Sequence, residues 1–248
     1  MRLSRQFEGW LGLAQADGHD PDRLWSALES WLAREYQVDG IFYGVYAVGV
    51  TIKALANLHE KCVWKSTFPE SFLEVLAGDP LTHDRLAQCC LHHRRICFWH
   101  DEKVWVDATP VQKERRAINR RHGMDVGVSV PLFSGSGQIC GGFGLRHSAQ
   151  DAAAFDRLLD GRCDDLAEQL ACFDAHFRHP FAKTFFGLSR QEIRVLALIA
   201  SGMTVAQCGY EMKLSPKTAE AYLAAARRKT RSRSTAEAVA KAVFFQMV

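Results

Sequence analysis

The sequence predicts an α+β protein in two parts: an N-terminal α-β-α sandwich around a central antiparallel sheet, then a C-terminal all-α domain of four helices. Three observations predict this. Over residues 1–177, hydrophobic periodicity switches between helical and strand spacing in the order helices, strands, helices, paired strands, helix. Over residues 188–248, four helix-start signals follow one another at short intervals. Charge divides along the same line: Thr184–Val248 holds ten Lys/Arg against four Asp/Glu, and the remaining 21 and 24 leave the longer part mildly acidic.

The elements follow in order. Asp20-Pro21 reads as an N-cap with Pro at the first helical position, and Leu24, Leu28, Trp31 and Leu32 recur at helical spacing. Ile41–Val48 is aromatic and β-branched, and Lys61–Lys65 alternates, so both read as strands. Phe68–Ala77 and Thr82–His93 read as helices and Ile96–Trp99 as a short strand. Lys113–His122 is a charged helix ended by Gly123, with its KERRAINRR run as a solvated face. Val126–Phe133 and Gln138–Leu145 form a hairpin about the SGSG turn at 134–137. A long helix is expected from about Ala149 to Phe177. The stretch 178–187, broken by Pro180, is the expected linker.

Composition narrows the class. With 48% hydrophobic and 24% charged residues, the chain is neither disordered nor collagen-like. No apolar run reaches the roughly 18 residues of a membrane helix, and the N-terminus has no signal-peptide core. A cytoplasmic protein without membrane association is expected. Its eight irregularly spaced cysteines should then stay reduced, as small buried residues.

The C-terminal signals are sharper. Ser189 with Glu192, Thr204 with Gln207 and Ser234 with Glu237 have capping-box spacing, and Ser215 precedes Pro216. Gly202 ends the first helix, and Lys213-Leu214 separates the second from the third. Two short helices about a tight turn, the second followed by Arg227, Arg228, Lys229, Arg231 and Arg233, suit a helix-turn-helix on double-stranded DNA. Basic residues there give affinity through phosphates rather than sequence choice. A solvated helical bundle with one basic face fits the caps and periodicity equally well.

The run Leu188–Thr230 resembles the DNA-binding domain of LuxR-type regulators. The shared pattern is Leu188-Ser189, Glu192, Val195-Leu196, Ala200-x-Gly202-x-Thr204, Ala206, Leu214-Ser215-x-Lys217-Thr218 and Lys229. The resemblance places Thr204, Ser215, Lys217, Thr218, Glu220, Tyr222, Arg227 and Arg228 at or beside DNA, and implies a homodimer on two half-sites. Three departures each trim an apolar contact: Cys208-Gly209 for the family's Ile-Ala, Ala219 for its Val, and Thr230 for its Leu. A regulator that has lost its operator and pairs with a related protein as an antagonist is the alternative.

Residues 1–175 resemble, less closely, the autoinducer-binding domain of the quorum-sensing members. The matching segments are FPESFLEVLAGDPLTHDRL, ICFWHD and GMDVGVSVPLFSGSGQICGGFGL. The resemblance implies an acyl-homoserine lactone pocket that keeps Asp84, Trp99, Gly127 and Ser129. Phe68, Phe72 and Leu76 replace its Tyr, Trp and second Tyr. Phe68 has no hydroxyl and Phe72 no indole N–H. At about 0.5–1.5 kcal/mol for each lost hydrogen bond, an ordinary lactone should bind roughly 5- to 150-fold more weakly. A small apolar signal molecule of another kind, or none, is expected, unless Tyr43 or Trp64 supplies the missing donors. Read without the resemblance, Asp84 is equally a helix cap and Trp99 a core residue.

Three further features bear on the class of protein. Cys89, Cys90, His92, His93, Cys97 and His100 crowd one region, but the spacings fit no standard zinc site, and no metal is expected. The glycines of GSGQICGGFG read as a turn and close strand packing rather than a dinucleotide loop. No catalytic triad or carboxylate pair is recognisable, so no enzyme and no cofactor are expected.

Overall fold

The computed structural model describes residues 20–46, 62–78 and 83–248, without the side chain of Leu91. The expected strand ends at Val48 and Lys61 and the expected helix start at Thr82 lie outside the described residues. The chain divides into two compact units within one helix, between Asp174 and Ala175.

The first unit is built on a five-stranded antiparallel sheet in the order β2-β1-β5-β4-β3. Its strands are β1 (Val38–Tyr46), β2 (Cys62–Ser66), β3 (Cys97–Phe98), β4 (Gly127–Phe133) and β5 (Ile139–His147). The helices are α1 (Pro21–Tyr36), α2 (Glu70–Gly78), α3 (Arg85–His93), α4 (Glu102–Trp105), α5 (Pro110–Arg121), α6 (Ala152–Leu159) and the start of α7 (Cys163–Phe186). Period-two alternation sorts the strand residues between two environments. Tyr43 and Phe143 pack together, 5.1 Å between ring centroids, and Phe143 meets Phe173 of α7 at 6.2 Å. Phe42, Gly44 and Tyr46 alternate with Tyr43 and face a cavity under α2, α3 and α5.

Local chemistry sets the helix ends. Asp84 caps α3, and Thr109 with Gln112 forms a capping box on α5, so that helix starts three residues before the expected Lys113. The expected single helix from Ala149 is two helices, separated where Gly161 takes φ +67°, a backbone conformation that glycine adopts freely.

The expected linker is helical as far as Phe186. Pro180 removes one donor and normally costs about 3 kcal/mol or more inside a helix, yet α7 runs through it. Phe177 stacks on Phe181 at 4.7 Å, Phe181 meets Phe185 at 5.8 Å, and Phe186 meets Phe245 at 5.8 Å. Aromatic packing of this kind offsets the lost hydrogen bond.

In the second unit the end of α7 is followed by α8 (Arg190–Ala200), α9 (Val205–Glu211), α10 (Pro216–Lys229) and α11 (Thr235–Phe244). Their caps are the expected Ser189, Thr204, Ser215 and Ser234. Full capping boxes form at Ser189 and Thr204. At the fourth start, Glu237 instead accepts from the Arg233 N–H at 2.8 Å. Val195, Leu196, Cys208, Ala219, Leu223, Ala226, Ala238 and Ala242 form the core.

Candidate ligand cavity and nucleic-acid interface

The cavity in the first unit has a volume of about 260 Å³. That is close to the lower end of the roughly 300–1,000 Å³ usual for small-molecule sites. Strand register explains its shape. Phe42, Gly144 and Ser129 form one row across β1, β5 and β4, and Trp64, Gly44, Gly142 and Pro131 form the next. Gly44 faces Gly142 directly, so the centre of the floor is bare backbone. Rings stand around it: Phe42 stacks on Trp64 at 6.2 Å, and Phe68 meets Phe72 at 5.9 Å and Trp99 at 6.3 Å.

Most of the expected ligand residues meet here. Trp64, Phe68, Phe72, Leu76, Asp84, Trp99 and Ser129 all line the cavity. Asp84 Oδ1 accepts from the backbone N–H groups of Leu86 and Ala87 at 2.9 and 3.1 Å, so the carboxylate caps α3 and lines the cavity at once. The Trp99 indole N–H donates to Ser129 Oγ at 2.9 Å.

Gly127 is not on the wall but supports it. A Cβ there would collide with the Leu145 carbonyl oxygen and lie 2.5 Å from Trp99 Cε3. The Trp99 N–H donates to the Gly127 carbonyl at 2.9 Å. Gly127 thus leaves room for the indole against β4.

Tyr43 corrects the expectation placed on it. It is fully buried away from the cavity, and its hydroxyl donates to Asp174 at 2.7 Å. Strand parity decides this: the cavity-facing residues of β1 are its even-numbered neighbours.

Two residues were missed. Arg115 and Asn119 lie one helical turn apart on α5, both are buried, and both line the cavity. Arg115 Nε donates to Asn119 Oδ1 at 3.0 Å, and the guanidinium carbon lies 5.9 Å from the centroid of the Phe72 ring. The KERRAINRR run is therefore not wholly a solvated face. The available signal is the spacing of Gln112, Arg115 and Asn119, the three buried residues of α5, which share one helical face.

The cysteine and histidine cluster is only partly kept: Cys89 and Cys90 lie within hydrogen-bond reach of Cys97, and His100 pairs with Asp156 at 2.9 Å. His92 and His93 are exposed at the end of α3. Burial pushes the Cys89 thiol up to about 12, and a hydrogen bond with Cys90, then burial, pushes Cys97 up as well. Such thiols stay protonated and unreactive. Among the described residues no group of three or more His, Cys, Asp or Glu is placed to hold a metal.

In the second unit, α9, the Met212–Ser215 turn and α10 form the helix-turn-helix. The turn closes through Leu214 N–H to the Gly209 carbonyl at 2.8 Å, with Lys213 at φ +56°. Lys217, Glu220, Ala221, Ala224 and Arg228 are exposed along α10, while Thr218 and Tyr222 are half-buried. The hydroxyls of Thr204 and Ser215 accept from the backbone N–H groups of Gln207 and Thr218 at 3.3 and 3.1 Å. Arg227 donates to the Arg233 carbonyl at 3.0 Å. Lys229, read as one of the phosphate-neutralising residues, instead ties the unit together: its Nζ lies 2.7 Å from Glu192 Oε2 and 2.8 Å from the Gly187 carbonyl.

The family departures fit their places. A Cβ on Gly209 would lie 3.2 Å from Leu214 O and from Pro216, tighter than ordinary contact. The buried Thr230 hydroxyl donates to the Ala226 carbonyl at 2.8 Å.

A ligand cavity in one unit and a helix-turn-helix in the other define a single-chain sensor and regulator. The family model for the autoinducer-binding domain matches residues 20–171, and that for bacterial regulatory proteins of the LuxR family matches residues 187–242. The chain belongs to the LuxR-type regulators that carry an autoinducer-binding domain, families that are regulatory rather than enzymatic. No curated protein matches it in sequence. Among solved structures, Escherichia coli SdiA is similar at 15% identity over 97% of each chain, with a TM-score of 0.52. SdiA in complex with octanoyl-rac-glycerol is similar at 15% identity over 99% of this chain and 97% of that one, with a TM-score of 0.51. At that identity the likeness is one of fold. Among the described residues no helix is long and apolar enough to cross a membrane.

Proposed function

We propose that this ligand-responsive regulator works as a cytoplasmic homodimer that reads an operator through α10 and answers to an amphiphile other than an ordinary acyl-homoserine lactone. The carrying observation is the cavity wall, where Phe68 and Phe72 stand without a polar tip. Tyr43, one possible substitute donor, is engaged with Asp174 away from the cavity. Such a wall accepts an acyl chain readily and offers a lactone carbonyl no donor at Phe68 or Phe72, although Trp64, the other possible substitute, does line the cavity. The ligand named for SdiA, octanoyl-rac-glycerol, makes a glycerol ester a reasonable first probe. A ligand that binds the folded form stabilises it by mass action, and the sensor domain then changes the dimer that meets DNA.

On α10, Lys217 and Arg228 are exposed and suit phosphate or base contact, with small Ala221 and Ala224 allowing close approach to a groove. The test is selection of bound duplexes from a random pool by the purified full chain, followed by salt titration. Lys217→Ala should weaken binding of the selected duplex. Arg228→Ala should reduce the salt slope by about one. If no duplex is enriched above background, the operator reading fails and the antagonist reading stands. Lactone and glycerol-ester probes in thermal unfolding then test the sensor. A large shift with an ordinary lactone would overturn the altered response.

A further inference from the structure

Asp84, Trp99, Ser129, Arg115 and Asn119 bring polar atoms to the cavity wall, and each has a partner within the protein. Tyr46 differs. It lines the cavity from the end of β1 and is only 8% exposed, yet its hydroxyl forms no hydrogen bond among the described residues. Burial pushes the phenol up to about 12, with a smaller push from the Cys140 thiol, so at neutral pH it is an O–H donor. Leaving a buried hydroxyl without a partner is costly, and packing alone does not call for one, since a phenylalanine ring fills the same space. Register gives its place. Cys62 faces Tyr46 across β1 and β2, and Trp64 with Gly44 begins the neighbouring row; none of the three is charged. Ser129 shares the row of Phe42, so its row and that of Tyr46 lie roughly 13 Å apart along β1 at the usual strand rise. Between them is the bare Gly44–Gly142 floor.

Taking the cavity as the ligand site, we propose that the Tyr46 hydroxyl donates to the ligand, and that this ligand is an amphiphile with a neutral oxygen acceptor, hydroxyl or carbonyl, near the end of its chain. The head group lies at the Ser129 end, where Ser129 accepts from Trp99 and keeps its own O–H to give. The chain crosses the glycine floor, and its terminal oxygen becomes the partner that Tyr46 lacks. The oxygen is neutral because a charge there would go uncomplemented by Cys62, Trp64 or Gly44.

The test compares octanoyl glycerol with 8-hydroxyoctanoyl glycerol, which share a head group and differ only at the chain end, on the full chain at neutral pH by calorimetry. The hydroxylated probe should bind about 2- to 10-fold more tightly. Tyr46→Phe should reverse that order, because the terminal hydroxyl then meets a ring with nothing to give. The same variant without ligand should unfold at the same temperature as the wild type or a higher one, since it loses only an unpartnered hydroxyl. A purely structural tyrosine would do the opposite, so a lowered midpoint overturns the assignment. It is also overturned if the hydroxylated probe binds no more tightly than its parent, or if its preference survives in Tyr46→Phe. Binding of octanoyl glycerol alone would sink the Tyr46 assignment and leave the sensor reading standing. If neither probe binds, the assignment fails, and the sensor reading is then decided separately by the lactone probes.

Discussion

The two units hold their polar side chains in different ways, although Lys229 with Glu192 is a long-range pair in the second. In the helix-turn-helix unit the capping groups act within one turn of helix: Ser189 with Glu192, Thr204 with Gln207, Ser215 with Thr218. In the cavity unit local caps such as Asp84 and Thr109 are joined by bonds that reach across the chain, as in Tyr43 to Asp174 and Trp99 to Ser129. Short-range bonds make a unit whose shape is set locally and whose outer face is left for a partner. Long-range bonds make a wall whose parts depend on one another, so that an empty space can persist inside it.

The sharpest way to break that contrast is Gly127→Ala. The added methyl has a carbonyl on one side and an indole on the other, neither at the end of a flexible chain. The expected cost is roughly 3 kcal/mol, confined to the cavity unit. Hydrogen exchange followed peptide by peptide should show lost protection around Trp99 and β5, with α8–α11 unchanged. Equal loss in both units would refute the separation.

A smaller effect is expected at Ser189→Ala, which removes one local cap and should cost the second unit about 1 kcal/mol. Scanning calorimetry of the full chain should show only one transition displaced. A displacement of both would mean that the second unit's caps stabilise more than their own unit.

Acid should separate the units by the smallest margin. His147 is fully buried against Phe155, 4.8 Å between ring centroids, and burial holds its imidazole below the ordinary 6.5. Its folded form favours the neutral ring. That contribution is therefore complete above about pH 6.5 and is lost as pH falls through the folded value. Burial pushes Glu192 up, but hydrogen bonds from Lys229 and Ser189 outweigh it and hold the carboxyl below its ordinary 4.5. Its contribution is present above about pH 4.5 and lost below, through its own lower folded value. Protection in the cavity unit should therefore fall first on acidification. His147→Phe should delay that fall, and loss beginning in α8 would contradict the order.

Sequence reasoning reached these two units unequally, for the same reason. Each C-terminal helix start was legible because a cap and its partner sit within three or four residues. The order of strands was legible because alternation is local too. Tyr43 was misplaced because an aromatic run such as IFYGVY does not say which parity faces a ligand. Arg115 was missed because a charged run reads as solvated unless the buried face is traced at 112, 115 and 119. Pro180 misled because the rings that hold α7 together, Phe177 with Phe181 and Phe186 with Phe245, act partly across 59 residues of chain.

The rings around the cavity have one more consequence. All six tryptophans fall within the first 105 residues, and two of them, Trp64 and Trp99, stand on the cavity wall. The second unit has none. The molecule thus carries a built-in optical label on its sensing half alone: an occupant beside those indoles alters their emission, while duplex binding at α10 contributes no tryptophan signal of its own. The two events can be followed in one cuvette, with an extrinsic dye on the duplex, and no residue of the protein need be changed.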